Sequence, residues 1–157
     1  MTATSAALVD EPALVAVAQR LAKQVGTGGV IHLRGDLGVG KTTFARALLG
    51  ALGVGARIKS PTYSLIESYA AGELAIHHLD LYRIAAAEEL EWLGLADLAS
   101  DRYLILIEWP ERAGAALPPA DLIVHLAHAD ARRELRMEAV SARGQQWLSR
   151  LSTDASA

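Results

Sequence analysis

Gly35-Asp36-Leu37-Gly38-Val39-Gly40-Lys41-Thr42 decides the reading of this chain. It satisfies G-x-x-x-x-G-K-[ST] in full, and its flanks are the ones that pattern requires. Val30, Ile31 and Leu33 form a short apolar strand running into Gly35. Lys41 to Leu52 turns helical, with Phe44, Ala45, Leu48 and Leu49 as its apolar stripe. Glycines let such a turn fold into a concave nest of inward-pointing N–H groups, and the helix start adds partial positive charge. Gly38, Val39 and Gly40 supply the nest. Lys41 is expected at the β- and γ-phosphates, the Thr42 hydroxyl on Mg²⁺, and Thr43 near the α-phosphate. The turn therefore implies a bound nucleoside triphosphate. The chain has no Asn, so it cannot carry the N-K-x-D guanine reader, and ATP follows by exclusion.

Working outward, 157 residues suit a single domain, 1–157, with a core from about 10 to 151 and a short tail frayed over the last six residues. Asp10, Glu11 and Pro12 read as a helix start, with apolar residues recurring to Leu21 and glycines ending the pattern. Tyr63–Tyr69 and Leu74–Leu81 read as strands joined by a hairpin at Ala70–Glu73, and Ala86–Leu93 as a short acidic helix. Tyr103–Ile107, apolar throughout, suits a strand buried on both faces. Asp121–Ala129 and Glu134–Val140 make a second hairpin around Asp130–Arg133, and Gln145–Leu151 a last helix. The absence of Cys excludes disulfides, thiol chemistry and Fe–S clusters. With 15 basic against 18 acidic side chains, the strongly basic balance of a protein living on nucleic-acid phosphates is excluded too. No apolar run approaches membrane-spanning length, so the chain reads as soluble and cytoplasmic.

A phosphate site of this kind needs a second acid at a strand end. Leu104-Ile105-Leu106-Ile107-Glu108 has the expected shape, and Asp80 ends a less apolar strand. Glu108 is favoured for the metal, and Asp80 is either an acid standing behind it or a group that orients water, with Lys41, Asp80 and Glu108 as the catalytic set. His77 and His78, adjacent on a strand, face opposite ways and cannot chelate one ion together, so all five histidines read as structural. Trp109 is either core or site. Arg132, Arg133 and Arg136 cluster at a hairpin tip, as a solvated turn, a phosphate contact or an RNA-touching patch.

Four blocks then occur in order: the Gly35–Thr43 turn; Lys59-Ser60-Pro61-Thr62-Tyr63; His78-Leu79-Asp80-Leu81-Tyr82-Arg83; and Ile107-Glu108-Trp109-Pro110-Glu111. Glu88-Glu89-Leu90-Glu91 before Gly94 belongs to the same pattern. Together, over residues 10 to 140, the chain closely resembles the TsaE family, the bacterial ATPase subunit of tRNA threonylcarbamoyladenosine synthesis. The resemblance implies a P-loop NTPase-like α/β domain of three layers, a central mixed sheet flanked by helices. It implies ATP hydrolysis supporting threonylcarbamoyl transfer to adenosine 37 of tRNA by TsaD-like and TsaB-like partner subunits, with tRNA met indirectly. It implies that Lys41 and Thr43 hold phosphates, that Thr42 and Glu108 hold Mg²⁺, and that Asp80 lies near the γ-phosphate. It also implies that Glu11 and Arg133 lie near the nucleotide, a slip of one residue exchanging Arg133 for Arg132, and that Ser60–Tyr63 respond to it. The hydroxyls of Thr62 and Tyr63, on a loop stiffened by Pro61, suit a γ-phosphate sensor.

On the residues alone two other readings stand: a P-loop small-molecule kinase whose arginines close over phosphates, and an ATP-gated interaction module that does not hydrolyse.

Overall fold

The computed structural model describes residues 3–54, 66–84 and 103–155. Seven strands form one sheet: β1 (Ala3–Val9), β2 (Gly29–Arg34), β3 (Ile66–Ala71), β4 (Leu74–Asp80), β5 (Tyr103–Glu108), β6 (Leu122–Ala129) and β7 (Arg132–Ala139). Among the described residues three helices accompany them: α1 (Glu11–Ala22), α2 (Lys41–Ala51) and α3 (Ala142–Ala155). The strand order is β1-β7-β6-β2-β5-β4-β3. Four central strands, β6, β2, β5 and β4, run parallel, and β3, β7 and β1 pair antiparallel at the two sides. The mixed α/β sheet is as expected; the hairpins supply the β3–β4 and β6–β7 antiparallel pairs, and β1 adds a third on β7.

Burial follows strand alternation. Ile31, Leu33, Leu104, Leu106, Leu122, Val124, Leu135 and Met137 share one apolar layer with Leu14 and Leu21 of α1, Phe44 and Leu48 of α2, and Trp147 and Leu148 of α3. Val30, Leu79, Ile105 and Ile107 point to the other face, covered by Leu81, Ile84 and, from two short 3₁₀ turns after β5, Ala113 and Leu117. Strands β2 and β5 are thus buried on both sides, which explains their continuous apolar runs. Asp10 caps α1, its side chain accepting from the Ala13 N–H at 2.9 Å. The Asp121 carboxylate ties α3 to the sheet by accepting from Val30 N (2.8 Å) and Ser141 Oγ (2.7 Å).

The structure departs from the sequence reading in three places. Ala3–Val9, outside the expected core, is an edge strand on β7. The second hairpin turns on Asp130-Ala131 alone, so Arg132 and Arg133 belong to β7 and not to a tip. The last helix spans Ala142–Ala155, further at both ends than expected and into the stretch read as frayed. The expected Ala86–Leu93 helix and the start of the Tyr63–Tyr69 strand lie outside the described residues.

The parallel centre fixes where a site can form. In register, Leu33 pairs with Glu108 and Asp80 with Glu108, so β2, β5 and β4 end along one edge. The glycine turn springs from that edge, where open α/β sheets place their ligands.

Candidate functional site

The turn from Gly35 to Gly40 carries the chain from β2 to α2, and its glycines are conformationally required. Gly35 has φ +149° and a Cβ there would run into the Leu126 carbonyl; Gly40, which caps α2, has φ +114°. No side chain caps that helix start, so its leading N–H groups keep the character of an anion site. Two cavities flank the turn, of about 360 and 320 Å³, and Gly38, Gly40 and Thr43 line both.

The first cavity is lined by Lys41 and Thr42 from the start of α2, by Asp80 and Glu108 at the strand ends, and by Tyr82, Arg83 and Trp109 just beyond them, with Leu37. Glu108, 2% exposed, has both oxygens engaged. Thr42 Oγ1 donates to Oε1 at 3.0 Å, and His78 Nε2 lies 2.7 Å from Oε2. Lys41, 4% exposed, donates from Nζ to the Gly35 carbonyl and stands 3.4 Å above the centroid of the Trp109 ring. Burial pushes the Lys41 ammonium below its usual range, against the opposing pull of Glu108, Glu111, Asp80 and Asp36. Asp80 accepts from the Tyr82 N–H at 3.0 Å. Burial raises its carboxyl, with Glu108 adding to the rise, while the Tyr82 hydrogen bond, His78 and Lys41 oppose it. Trp109 holds φ 60°, an outlier for a bulky residue, and precedes Pro110. Its ring meets Tyr82 at 5.0 Å, and the Arg112 guanidinium lies over both rings at 5.4 and 6.0 Å. Both roles left open for Trp109 are met: it lines the cavity and, half-buried, packs against the second apolar layer.

The second cavity is lined by Val9 and the start of α1 (Asp10, Glu11, Leu14), by Val39 of the turn, and by Ala131, Arg132 and Arg133. Arg133 Nε donates to the Val39 carbonyl at 3.0 Å, fastening β7 to the glycine turn. Alternation sends Arg136 to the opposite face, where it meets Glu138 at 3.7 Å beside His125. The three arginines expected to cluster are therefore divided between two faces.

The structure thus brings Lys41, Thr42, Asp80 and Glu108 to one cavity and Glu11 and Arg133 to the other. The Ser60–Tyr63 loop lies outside the described residues. His78, expected to be structural, is fully buried and lines neither cavity, yet its Nε2 meets Glu108, a contact signalled in the sequence only by its i, i+2 spacing to Asp80 on a strand. His32 bonds the Pro118 carbonyl at 3.2 Å and His77 the Ser68 hydroxyl at 2.7 Å, neither touching these cavities. Among the described residues no three of His, Cys, Asp and Glu converge as a metal cage. The pairing of one buried carboxylate with one hydroxyl instead fits Mg²⁺, which keeps waters and takes most of its other oxygens from a substrate phosphate. Among the described residues no helix is long and apolar enough to cross a membrane.

Comparison with known proteins bears on identity. Residues 8–135 match the family described as threonylcarbamoyl adenosine biosynthesis protein TsaE. The tRNA threonylcarbamoyladenosine biosynthesis protein TsaE of Haemophilus influenzae is 40% identical over 123 residues, 78% of each chain. That of Bacillus subtilis is 35% identical over 138 residues, 87% of this chain and 86% of the relative. The crystal structure of Bacillus subtilis YdiB superposes with a TM-score of 0.78 at 27% identity, covering 99% of this chain and 98% of that one. Matched over most of its length in sequence and in fold, the chain belongs to the TsaE family of tRNA threonylcarbamoyladenosine biosynthesis proteins.

Proposed function

We propose that this protein is a Mg²⁺-dependent ATPase of the cytoplasm whose ATP binding and hydrolysis support threonylcarbamoyl transfer to adenosine 37 of tRNA, the transfer itself being made by TsaD-like and TsaB-like partner subunits. The observation that carries the reading is the convergence of Lys41, Thr42, Asp80 and Glu108 on the mouth of the glycine turn. The turn and the start of α2 cradle the phosphates with backbone N–H groups. Lys41 swings from the Gly35 carbonyl and the Trp109 ring to the β- and γ-phosphates, a short movement for a flexible four-carbon stem. Thr43 faces the α-phosphate. Thr42 and Glu108 are the residues that would hold Mg²⁺, which when bound neutralises charge developing on the transferred phosphoryl group. Asp80, whose carboxyl is raised by burial, orients the attacking water. Glu11 and Arg133, across the turn, border the cavity that takes the rest of the nucleotide.

Removing the γ-phosphate removes contacts that distinguish two states of the site, and only such a differential contact lets ATP drive a change in a partner. The test is reconstitution: ATP turnover and modified adenosine are measured with the partner subunits and tRNA, using wild-type chain and Lys41→Ala. Slow turnover alone, stimulation by partners, and loss of both turnover and repeated modification in Lys41→Ala are expected. Normal repeated modification by folded Lys41→Ala overturns the reading.

A further inference from the structure

We propose that His78 is a positioning residue for Glu108, fixing which carboxylate oxygen faces the Thr42 side of the cavity; what Glu108 faces there, Mg²⁺, rests on the ATPase reading above. The register sets up the contact. His78 lies opposite Leu106 and Asp80 opposite Glu108, so His78 and Glu108 are diagonal neighbours on one face of β4 and β5, within reach of two long side chains. His78 is fully buried, and its Nε2 lies 2.7 Å from Glu108 Oε2. Its other nitrogen, Nδ1, is buried without a partner among the described residues. The hydrogen is assigned to Nε2, because a carboxylate oxygen can only accept there. This imidazole therefore makes one hydrogen bond, and makes it to the site acid.

The consequence lies in the carboxylate. Glu108 Oε2 is held by His78 and Oε1 takes the Thr42 hydroxyl at 3.0 Å. A carboxyl group pinned at one oxygen cannot rotate freely, so Oε1 stays presented beside Thr42. Outer partners of this kind fix the orientation of a ligand and raise its affinity for metal, and their loss costs about 10–100-fold in metal binding. His77, the adjacent residue, bonds Ser68 on the edge strand and touches no site residue.

The test compares His78→Gln with His78→Met. The two side chains have similar length, but only Gln keeps an N–H donor near the position of Nε2. ATP binding is titrated against Mg²⁺, with binding in EDTA as the control. In His78→Met the Mg²⁺ requirement rises about 10-fold or more, while binding in EDTA stays within about 2-fold because the nest still holds the phosphates. His78→Gln recovers most of the loss. A wild-type Mg²⁺ profile in His78→Met, or equal losses in both variants, overturns the proposal. Should His78→Met not fold, the ring nitrogens of wild-type His78, assigned by their disappearance in His78→Gln, decide it by ¹⁵N NMR. Hydrogen on Nε2 and a shift of that resonance in Glu108→Gln are expected; hydrogen on Nδ1 overturns it. Wild-type protein that binds ATP with no dependence on Mg²⁺ defeats the ATPase reading and this proposal together, whereas Mg²⁺-dependent wild type with an indifferent His78→Met defeats only the role of His78.

Discussion

The two cavities beside the glycine turn share Gly38, Gly40 and Thr43 and differ in almost everything else. One gathers a lysine and a hydroxyl from the start of α2 with two carboxylates and an indole from the ends of parallel strands, and burial shifts Lys41 and Asp80. The other is walled by the glycine turn, the first turn of α1 and the first arginines of β7. The fold thereby separates two kinds of pocket. Buried charge can be concentrated where central parallel strands end, since those positions are walled on both faces. At the sheet flank, one long guanidinium fastened to a loop carbonyl shapes a cavity without burying a charge network.

This contrast can be broken by substitution, and the largest effect is expected at Lys41. Lys41→Ala should lower ATP turnover on the order of 100-fold or more, the scale of losing a preorganised charge at the reacting phosphoryl group. Turnover close to wild type in the folded variant would dissolve the distinction. Glu108→Gln comes next: its Mg²⁺ requirement, read from ATP binding at graded Mg²⁺, should rise on the order of 10-fold while binding in EDTA holds. If the titration does not move and Asp80→Asn moves it instead, the metal acid is Asp80.

Across the turn, Arg133→Ala should weaken ATP binding by calorimetry about tenfold, or ~1.4 kcal/mol, with no change in Mg²⁺ dependence. Arg136→Ala, on the opposite face beside Glu138, should bind like wild type. A loss in Arg136→Ala as large as in Arg133→Ala would erase the division that strand alternation creates.

The smallest effect is a pH dependence of stability at Asp80. Its carboxyl is raised in the folded state, burial being the largest cause, so the folded protein holds that proton to higher pH than the unfolded chain does. Stability therefore falls as pH rises from the ordinary carboxylate range through the raised value. Asp80→Asn keeps an oxygen for the Tyr82 N–H and removes this fall, so its melting temperature at neutral pH should equal or exceed that of wild type while turnover drops. A variant less stable at neutral pH than at pH 4, relative to wild type, would mean that the charged form is stabilised by its neighbours.

The glycine turn, the helix that follows it, the buried central strands and the carboxylates at their ends were legible in local sequence. Each depends on local requirements: φ above zero at Gly35 and Gly40, 3.6-residue periodicity in α2, and an unbroken apolar run in β5. Asp10 was legible as a cap for the same reason. Ala3–Val9 was not, because a mostly exposed edge strand of small residues carries no burial pattern, and only pairing with β7 defines it. The division of Arg133 from Arg136 was decided by a turn confined to Asp130-Ala131, which sets the parity of every side chain in β7. Tertiary structure alone decided the partners of the buried charges. Lys41 over Trp109 and His78 on Glu108 join residues far apart in the chain, and no local pattern encodes a contact made only when β4, β5 and α2 pack together.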